Sequence, residues 1–178
     1  MRIWTVGHGT RTIDELLGIL RDANVVTLVD VRSFPGSRRH PQFGQDALRA
    51  SLTEAGLAYM HLRGLGGRRD AVTGSPHTAL RVAAFRAYAD HMATPEFQQD
   101  LARLEAVATA TPTAYMCAET LWWRCHRRML SDLLTLRGWE VVHLLAPDKS
   151  EPHRLWDVAR VVDGGLVYDG GAPPLPPG

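Results

Sequence analysis

Residues 1–20 read MRIWTVGHGTRTIDELLGIL, and this stretch contains the strand, turn and helix that decide the fold. Residues 3–6 are mainly apolar, which predicts a buried strand, and the glycines on either side of His8 predict its end. Thr12 followed by Glu15 matches a helix capping box, and leucine and isoleucine then recur at helical spacing. The segment therefore predicts a strand, a tight polar turn and an amphipathic helix.

The order of strand then helix repeats along the chain. Residues 25–31 form a nearly continuous aliphatic run, as expected for a strand buried on both faces. Similar signals predict strands at 58–62, 113–117 and 140–144, and helices at 45–55, 78–92, from 94 onward and at 125–137. Asp163 and the two glycines after it indicate a hairpin turn. We expect an α/β fold, with a mostly parallel, Rossmann-like three-layer sheet flanked by helices and a small C-terminal β-hairpin.

Length and composition indicate how many domains the chain forms and what net charge it carries. The 178 residues are 45% hydrophobic, which suits a single α/β domain over residues 1–170, followed by a flexible Pro/Gly-rich tail at 171–178. A formal net charge of +1 argues against broad, nonspecific binding to nucleic acid. Lys149 is the only lysine, so almost all positive charge is arginine, whose planar group suits phosphate and carboxylate.

The expected cellular location is inferred from targeting and membrane-spanning patterns in the sequence. No apolar run approaches the roughly 20 residues that a membrane-spanning helix needs, and the N-terminus has no signal-peptide pattern. We expect a cytoplasmic protein without a membrane partner. In a reducing compartment, Cys117 and Cys125 are more often catalytic, metal-binding or simply buried than joined in a structural disulfide.

Polar residues recur just after the predicted strands. They are His8 and Thr10 after the first, Arg32, Arg38 and Arg39 after the second, Gly67 after the third, and Cys117 and Glu119 after the fourth. In parallel α/β sheets, ligands bind in the crevice outside the carboxyl ends of the strands. The sequence therefore predicts one shared site at this edge of the sheet.

The densest polar segment is residues 117–127, CAETLWWRCHR. Cys125 opens a predicted helix, where free N–H groups and the helix dipole favour a thiolate, and His126 and Arg127 add positive charge. Either sulfur could equally be ordinary packing. Seven residues separate the cysteines, unlike the two to four of a compact zinc knuckle, so we expect no metal.

Each remaining candidate has alternative roles. Glu119 could be a general base, hold a ribose hydroxyl, or form an ion pair with Arg127 or Arg32. Trp122 could stack on a base or cap the core. No cofactor is expected, because the turn at His8 lacks the rest of a dinucleotide fingerprint. The catalytic candidates are Glu119, His8, Cys117 and Cys125. The substrate-binding candidates are Arg32, Arg38, Arg39, Thr10, Gly67, Trp122, His126 and Arg127.

Several motifs in order resemble the family catalogued as domain of unknown function 488. They are Gly7-His8, DVRSFPGSR at 30–38 followed by Arg39, Pro41 with Phe43, Tyr59 ahead of Leu65-Gly-Gly67, and Cys117-Ala-Glu119 with Cys125-His-Arg127. The resemblance runs from about residue 3 to residue 144. Gly9 stands where the family usually has Ser, so a hydroxyl role there would pass to Thr10. The resemblance implies a small cytoplasmic α/β protein and brings no activity with it.

Three functions remain open. The first is an enzyme acting on a phosphate-bearing substrate, such as a nucleotide or nucleic acid component, at an arginine-lined anion site. The second is a thiol-dependent enzyme, rhodanese-like or phosphatase-like, although Trp123 and Ser131 occupy the positions where a cysteine phosphatase needs arginine. The third is a non-catalytic module that binds a nucleotide or nucleic acid through Arg38, Arg39, Arg68 and Arg69. All three imply a small anionic or nucleotide-type ligand, with nucleic acid as the wider alternative.

Overall fold

The structure is a computed structural model that describes residues 1–36 and 38–171. Within these residues, the strands are β1 (Arg2–Gly7), β2 (Thr27–Asp30), β3 (Ala58–His61), β4 (Thr113–Cys117), β5 (Glu140–Ala146), β6 (Lys149–Pro152), β7 (Ala159–Val162) and β8 (Gly165–Tyr168). The α-helices are α1 (Ile13–Asp22), α2 (Gln45–Glu54), α3 (Ala83–His91), α4 (Pro95–Ala110) and α5 (Arg127–Leu136).

One sheet has the strand order β3-β2-β4-β1-β5-β6, and β7 and β8 form a separate antiparallel hairpin. The first five strands of the sheet are parallel, and β6 pairs antiparallel with β5. This confirms the predicted α/β fold with its mostly parallel sheet and C-terminal hairpin. Strand β4 lies between β2 and β1, with Gly7 beside Cys117 and Asp30 beside Met116, so three strand ends meet at one edge.

Helices cover both faces of the sheet. The core on one face contains residues of α1 and α2, and the core on the other contains residues of α3, α4 and α5. Because side chains alternate along a strand, Tyr115 and Cys117 belong to the second core, whereas Ala114 and Met116 belong to the first. The alternation in β4 therefore sets the direction of the Cys117 side chain.

The structure differs from the sequence-based boundaries at two helices. The helix predicted at 78–92 begins at Ala83, and the one predicted at 125–137 begins at Arg127. Residues 122–124 instead form one turn of 3₁₀ helix, and Cys125 has extended backbone (φ −125°, ψ 154°). Cys125 therefore precedes the helix rather than lying within its first turn.

The C-terminal region contains one strand that the sequence pattern did not indicate. Strand β6 has the sequence KSEP, whose polar character and terminal proline conceal its pairing with β5. Most of the predicted tail, residues 172–178, lies outside the described residues. Among the described helices, none has both the length and the apolar character that crossing a membrane requires.

Replacement of Thr12 by alanine tests the first strand–turn–helix unit. Thr12 accepts a hydrogen bond from the N–H of Glu15, and the Glu15 carboxylate accepts one from the N–H of Thr12. Loss of this cap should lower the free energy of unfolding by about 1 kcal/mol, measured by urea denaturation. Thr53→Ala, an exposed threonine inside α2, is the control and should have little effect, because its hydroxyl bonds within the helix.

Candidate active site

Two adjoining cavities form a cleft at the carboxyl edge of the sheet, with volumes of about 380 and 520 Å³. Both are lined by Arg32, Phe34, Gly36, Arg68, Ala118 and Glu119. The smaller, called the thiol cavity here, also has Gly67, Cys117, Arg124, Cys125 and His126 on its walls. The larger, called the histidine cavity, has His8, Thr10 and Arg39. The fold thus brings most of the predicted site residues together.

Three predicted substrate-binding residues do not line the cleft in the described structure. Arg38 is exposed on the loop that follows β2. The Trp122 ring stacks on His143, with centroids 4.0 Å apart, and its indole N–H bonds Glu151, so it packs against β5 instead of a ligand. Arg127 is almost completely buried, at 1% exposure.

The two cysteines form a close pair in the wall of the thiol cavity. Their Sγ atoms are 2.7 Å apart, and both residues are free cysteines. Cys117 is 2% exposed and Cys125 is 6% exposed. Cys117 ends β4, and the 3₁₀ turn brings Cys125 back over it. Sequence spacing did not show this contact, because it depends on the path of the turn.

The Arg127 guanidinium lies behind the cysteine pair. Its Nε donates to Cys117 Sγ at 3.0 Å, its Nη1 donates to Thr5 Oγ1 at 3.1 Å, and its Nη2 donates to the carbonyl oxygens of Glu119 and Thr120. Among the described residues, no carboxylate forms an ion pair with it. A buried cation needs a compensating negative charge, and the sulfurs are its neighbours that can supply one.

The two thiols have opposite pKa shifts. Burial raises the pKa of both, but at Cys125 a hydrogen bond from the Cys117 thiol and the charge of Arg127 outweigh it and lower the pKa to about 7. Burial and the hydrogen bond to Cys125 raise the pKa of Cys117 well above its ordinary value. Cys125 is therefore the thiol of the pair that ionises first, close to neutral pH, with Cys117 as its hydrogen-bond donor.

His126 packs beside the pair. Its Nδ1 is 3.4 Å from Cys125 Sγ, and the ring lies so close to Gly67 that a Cβ at that position would collide with it. Gly67 is therefore required for ring packing. Burial lowers the pKa of His126, which favours the neutral ring beside the thiolate.

Cys117, Cys125 and His126 are also the residues that could hold a metal, since their ligand atoms lie within 4.8 Å of one another. The geometry does not fit zinc. Two thiolates at about 2.3 Å from a tetrahedral zinc lie about 3.7 Å apart, whereas these sulfurs are 2.7 Å apart. In addition, the positive charge of Arg127 is already in contact with Cys117. The arrangement is that of a hydrogen-bonded dithiol.

Arg32 is held by Asp30 instead of pointing freely into the cleft. Its Nε and Nη2 donate to the two carboxylate oxygens at 2.9 and 2.6 Å, and Tyr59 donates to the same carboxylate at 2.9 Å. Its Nη1 lies 3.3 Å from His8 Nε2. The charge of Arg32 is therefore largely neutralised by Asp30. The sequence suggested that Arg32 binds an anion, and this pairing leaves it less able to do so.

His8 has partners for both ring nitrogens. Nδ1 lies 3.0 Å from the carbonyl oxygen of Gly9, so it donates there, and Nε2 is left to accept from Arg32. The ring stacks on Phe43 with centroids 4.2 Å apart. Burial is the main cause that lowers the pKa of His8 to about 4, so the ring is neutral at physiological pH. These contacts make His8 a positioning residue for Arg32.

The mouth of the cleft is positively charged. Arg39, Arg68 and Arg124 are exposed and line it, and among the described residues none of them forms an ion pair. Glu119 is the exposed acidic residue there, and its Oε1 accepts from the N–H of Leu121 at 3.0 Å. Thr10 is exposed on the same rim.

Phe34 and Arg124 are among the cleft residues that sequence reasoning did not single out. Phe34 is 58% exposed, lines both cavities and lies under Arg63 and Arg68, at 5.2 and 6.0 Å from its ring centroid. A phenylalanine in an otherwise polar loop was the signal that could have found it. Arg124 had no such signal, because its position depends on the 3₁₀ turn.

Replacement of Asp30 by asparagine tests the buried network. The amide would leave Arg32 buried without its counter-charge, and we expect the free energy of unfolding to fall by about 3–5 kcal/mol in urea denaturation. Glu140→Gln, which breaks the exposed ion pair with Arg2, is the matched control and should cost far less. Equal losses from the two variants would contradict the structural role of Asp30.

Comparison with known proteins gives one match. The chain matches no curated protein and no solved structure. The family described as Domain of unknown function DUF488 matches residues 12–134, which include β2, β3, β4 and both cysteines. This match covers more than half of the chain and confirms the resemblance inferred from the motifs. The chain belongs to the DUF488 family.

Proposed function

We propose that this protein is a thiol-dependent enzyme that acts on a small anionic substrate, with Cys125 as the nucleophile. The observation that carries the proposal is the cysteine pair in the cleft wall, with Sγ atoms 2.7 Å apart and a buried guanidinium 3.0 Å from one of them. A thiolate is the reactive form of cysteine, and a cation and a hydrogen-bond donor both favour it.

The cleft suits a small ligand with a negative group. The thiol cavity has a volume of about 380 Å³, within the range of small-molecule sites. Arg68 and Arg124 at its mouth can bind an anionic group, while Phe34 and Phe85 give it an apolar side. In this arrangement the anionic end of the substrate lies at the rim and its electrophilic atom faces Cys125.

The phosphate-bearing substrate suggested by the sequence belongs to the same anionic class. The residues assigned to bind it differ from those suggested by the sequence, however. Arg32 is paired with Asp30, and His8 has partners on both ring nitrogens. Arg39, Arg68 and Arg124 replace Arg32 as the anion-binding residues. Arg69 does not join them, since it bonds the carbonyls of residues 63, 64 and 66 and contacts Glu96.

The pH dependence of thiol alkylation tests the nucleophile. With a pKa of about 7, Cys125 should react with iodoacetamide at a rate that rises with pH through about 7 and then levels off, followed by mass spectrometry of the labelled peptide. Cys117→Ala removes the donor that stabilises the thiolate, so the midpoint should move to higher pH. An unlabelled Cys125, or a midpoint at the ordinary cysteine pKa in the unmodified protein, would contradict the proposal.

Substitution of the rim arginines tests the anion site. Arg68→Ala combined with Arg124→Ala should slow alkylation by the anionic iodoacetate by about tenfold, because local positive charge attracts the reagent. Alkylation by neutral iodoacetamide should change little. Arg21→Ala is the control, since it is exposed near the end of α1, away from the cleft. Equal effects on both reagents would indicate damage to the fold instead of a lost anion site.

A further inference from the structure

We infer that Cys117 is a resolving thiol and that the substrates of this site are small anionic disulfides or related sulfur electrophiles, which the protein reduces as its own cysteines form a disulfide. This inference rests on the proposed function. It narrows the substrate class from anionic electrophiles in general to those whose electrophilic atom is sulfur. It is carried by the position of the second sulfur, 2.7 Å from the first and next to a buried cation.

The second cysteine discriminates between electrophiles. A phosphoryl or acyl group carried on Cys125 would be released by attack on phosphorus or carbon, and for this a neighbouring thiol is not needed. A mixed disulfide, in which Cys125 is joined to a sulfur of the substrate, is resolved by another route. A second thiol can attack the Cys125 sulfur and expel the substrate part as a thiol. Cys117 Sγ lies 2.7 Å from Cys125 Sγ. This distance exceeds the length of a disulfide bond by less than about 1 Å.

Arg127 supports both steps. Its Nε donates to Cys117 Sγ at 3.0 Å, and its charge and a hydrogen bond from its side chain also favour the thiolate of Cys125 and lower the pKa of that thiol. Once Cys125 is in a mixed disulfide it carries no charge, and Arg127 then stabilises a thiolate on Cys117. The same cation thus favours a thiolate on whichever sulfur has to attack.

The chemistry balances in two steps. The Cys125 thiolate attacks one sulfur of a small disulfide, the substrate S–S bond breaks, and one thiolate leaves. The Cys117 thiol then gives its proton to a departing thiolate and its sulfur attacks Cys125 Sγ, which breaks the mixed disulfide and releases the second thiol. The substrate gains two electrons, and the Cys117–Cys125 pair loses them. An external thiol would return the protein to the dithiol form.

The cleft favours charged members of this substrate class. Arg39, Arg68 and Arg124 surround the mouth, and Glu119 is the acidic residue among them. A disulfide with carboxylates on short arms could place its sulfur at Cys125 while a carboxylate contacts Arg68 or Arg124. Uncharged disulfides of the same length lack that contact.

A single-turnover experiment on the reduced full-length protein tests the inference. The probe is dithiodiglycolate, the disulfide of two thioglycolate molecules, and hydroxyethyl disulfide is its uncharged counterpart. Wild-type protein should release two thiols per chain and lose two hydrogens in intact mass. Cys117→Ser and Cys117→Ala should release one thiol and retain a thioglycolate adduct on Cys125.

The charge preference is tested with the same two probes. Dithiodiglycolate should react about tenfold faster than the uncharged probe. The double variant Arg68→Ala with Arg124→Ala should lose that preference, while the control Arg21→Ala should keep it.

Failure of the inference can be separated from failure of the proposed function. If wild type retains the adduct just as the Cys117 variants do, Cys117 does not resolve it and the inference is overturned, while Cys125 stands as a nucleophile. If neither disulfide reacts but iodoacetate still labels Cys125 at neutral pH, the assigned substrate class is wrong. If Cys125→Ser reacts as fast as wild type, both the inference and the proposed nucleophile fall.

Discussion

The burial of the Arg127 guanidinium is the constraint on which the rest of the site depends. A cation taken out of water needs full hydrogen bonding and a nearby negative charge. Here one side chain joins Thr5 on β1, Cys117 at the end of β4 and the carbonyls of the following loop, while its own backbone begins α5. The loop and the helix are thereby fixed relative to the sheet edge, and the cysteine pair is held between them.

A second buried arginine organises the other half of the cleft in a different way. Arg32 has a carboxylate partner in Asp30, whereas Arg127 has sulfur. The Asp30–Arg32 pair, with Tyr59 and His8 attached, is electrically satisfied and shapes the wall of the histidine cavity. Charge compensation at Arg127 instead depends on ionisation of a thiol. This difference is why we propose the cysteines, and not Arg32, as the reactive groups of the cleft.

Much of the fold could be predicted from local pattern. The capping box at Thr12, the aliphatic run through β2 and the alternation of strands and helices predict the layers correctly, because these signals reflect short-range propensity and burial. The same reasoning placed Cys125 at the start of the helix, which begins two residues later, at Arg127. Strand β6 was missed because its pairing with β5 comes from the neighbouring chain segment and not from its own residues.

By itself, the sequence determined the fold class and the edge of the sheet where polar residues gather, because both follow from the order of elements along the chain, and its motifs indicated the family. Only the tertiary structure decided the roles of individual side chains. Arg127 was a substrate-binding candidate in the sequence, yet it is buried behind the cysteines, while Arg68 and Arg124 line the mouth. The physical reason is that a contact such as that of Cys117 with Cys125 depends on register and on one turn of 3₁₀ helix, and residue type does not specify either.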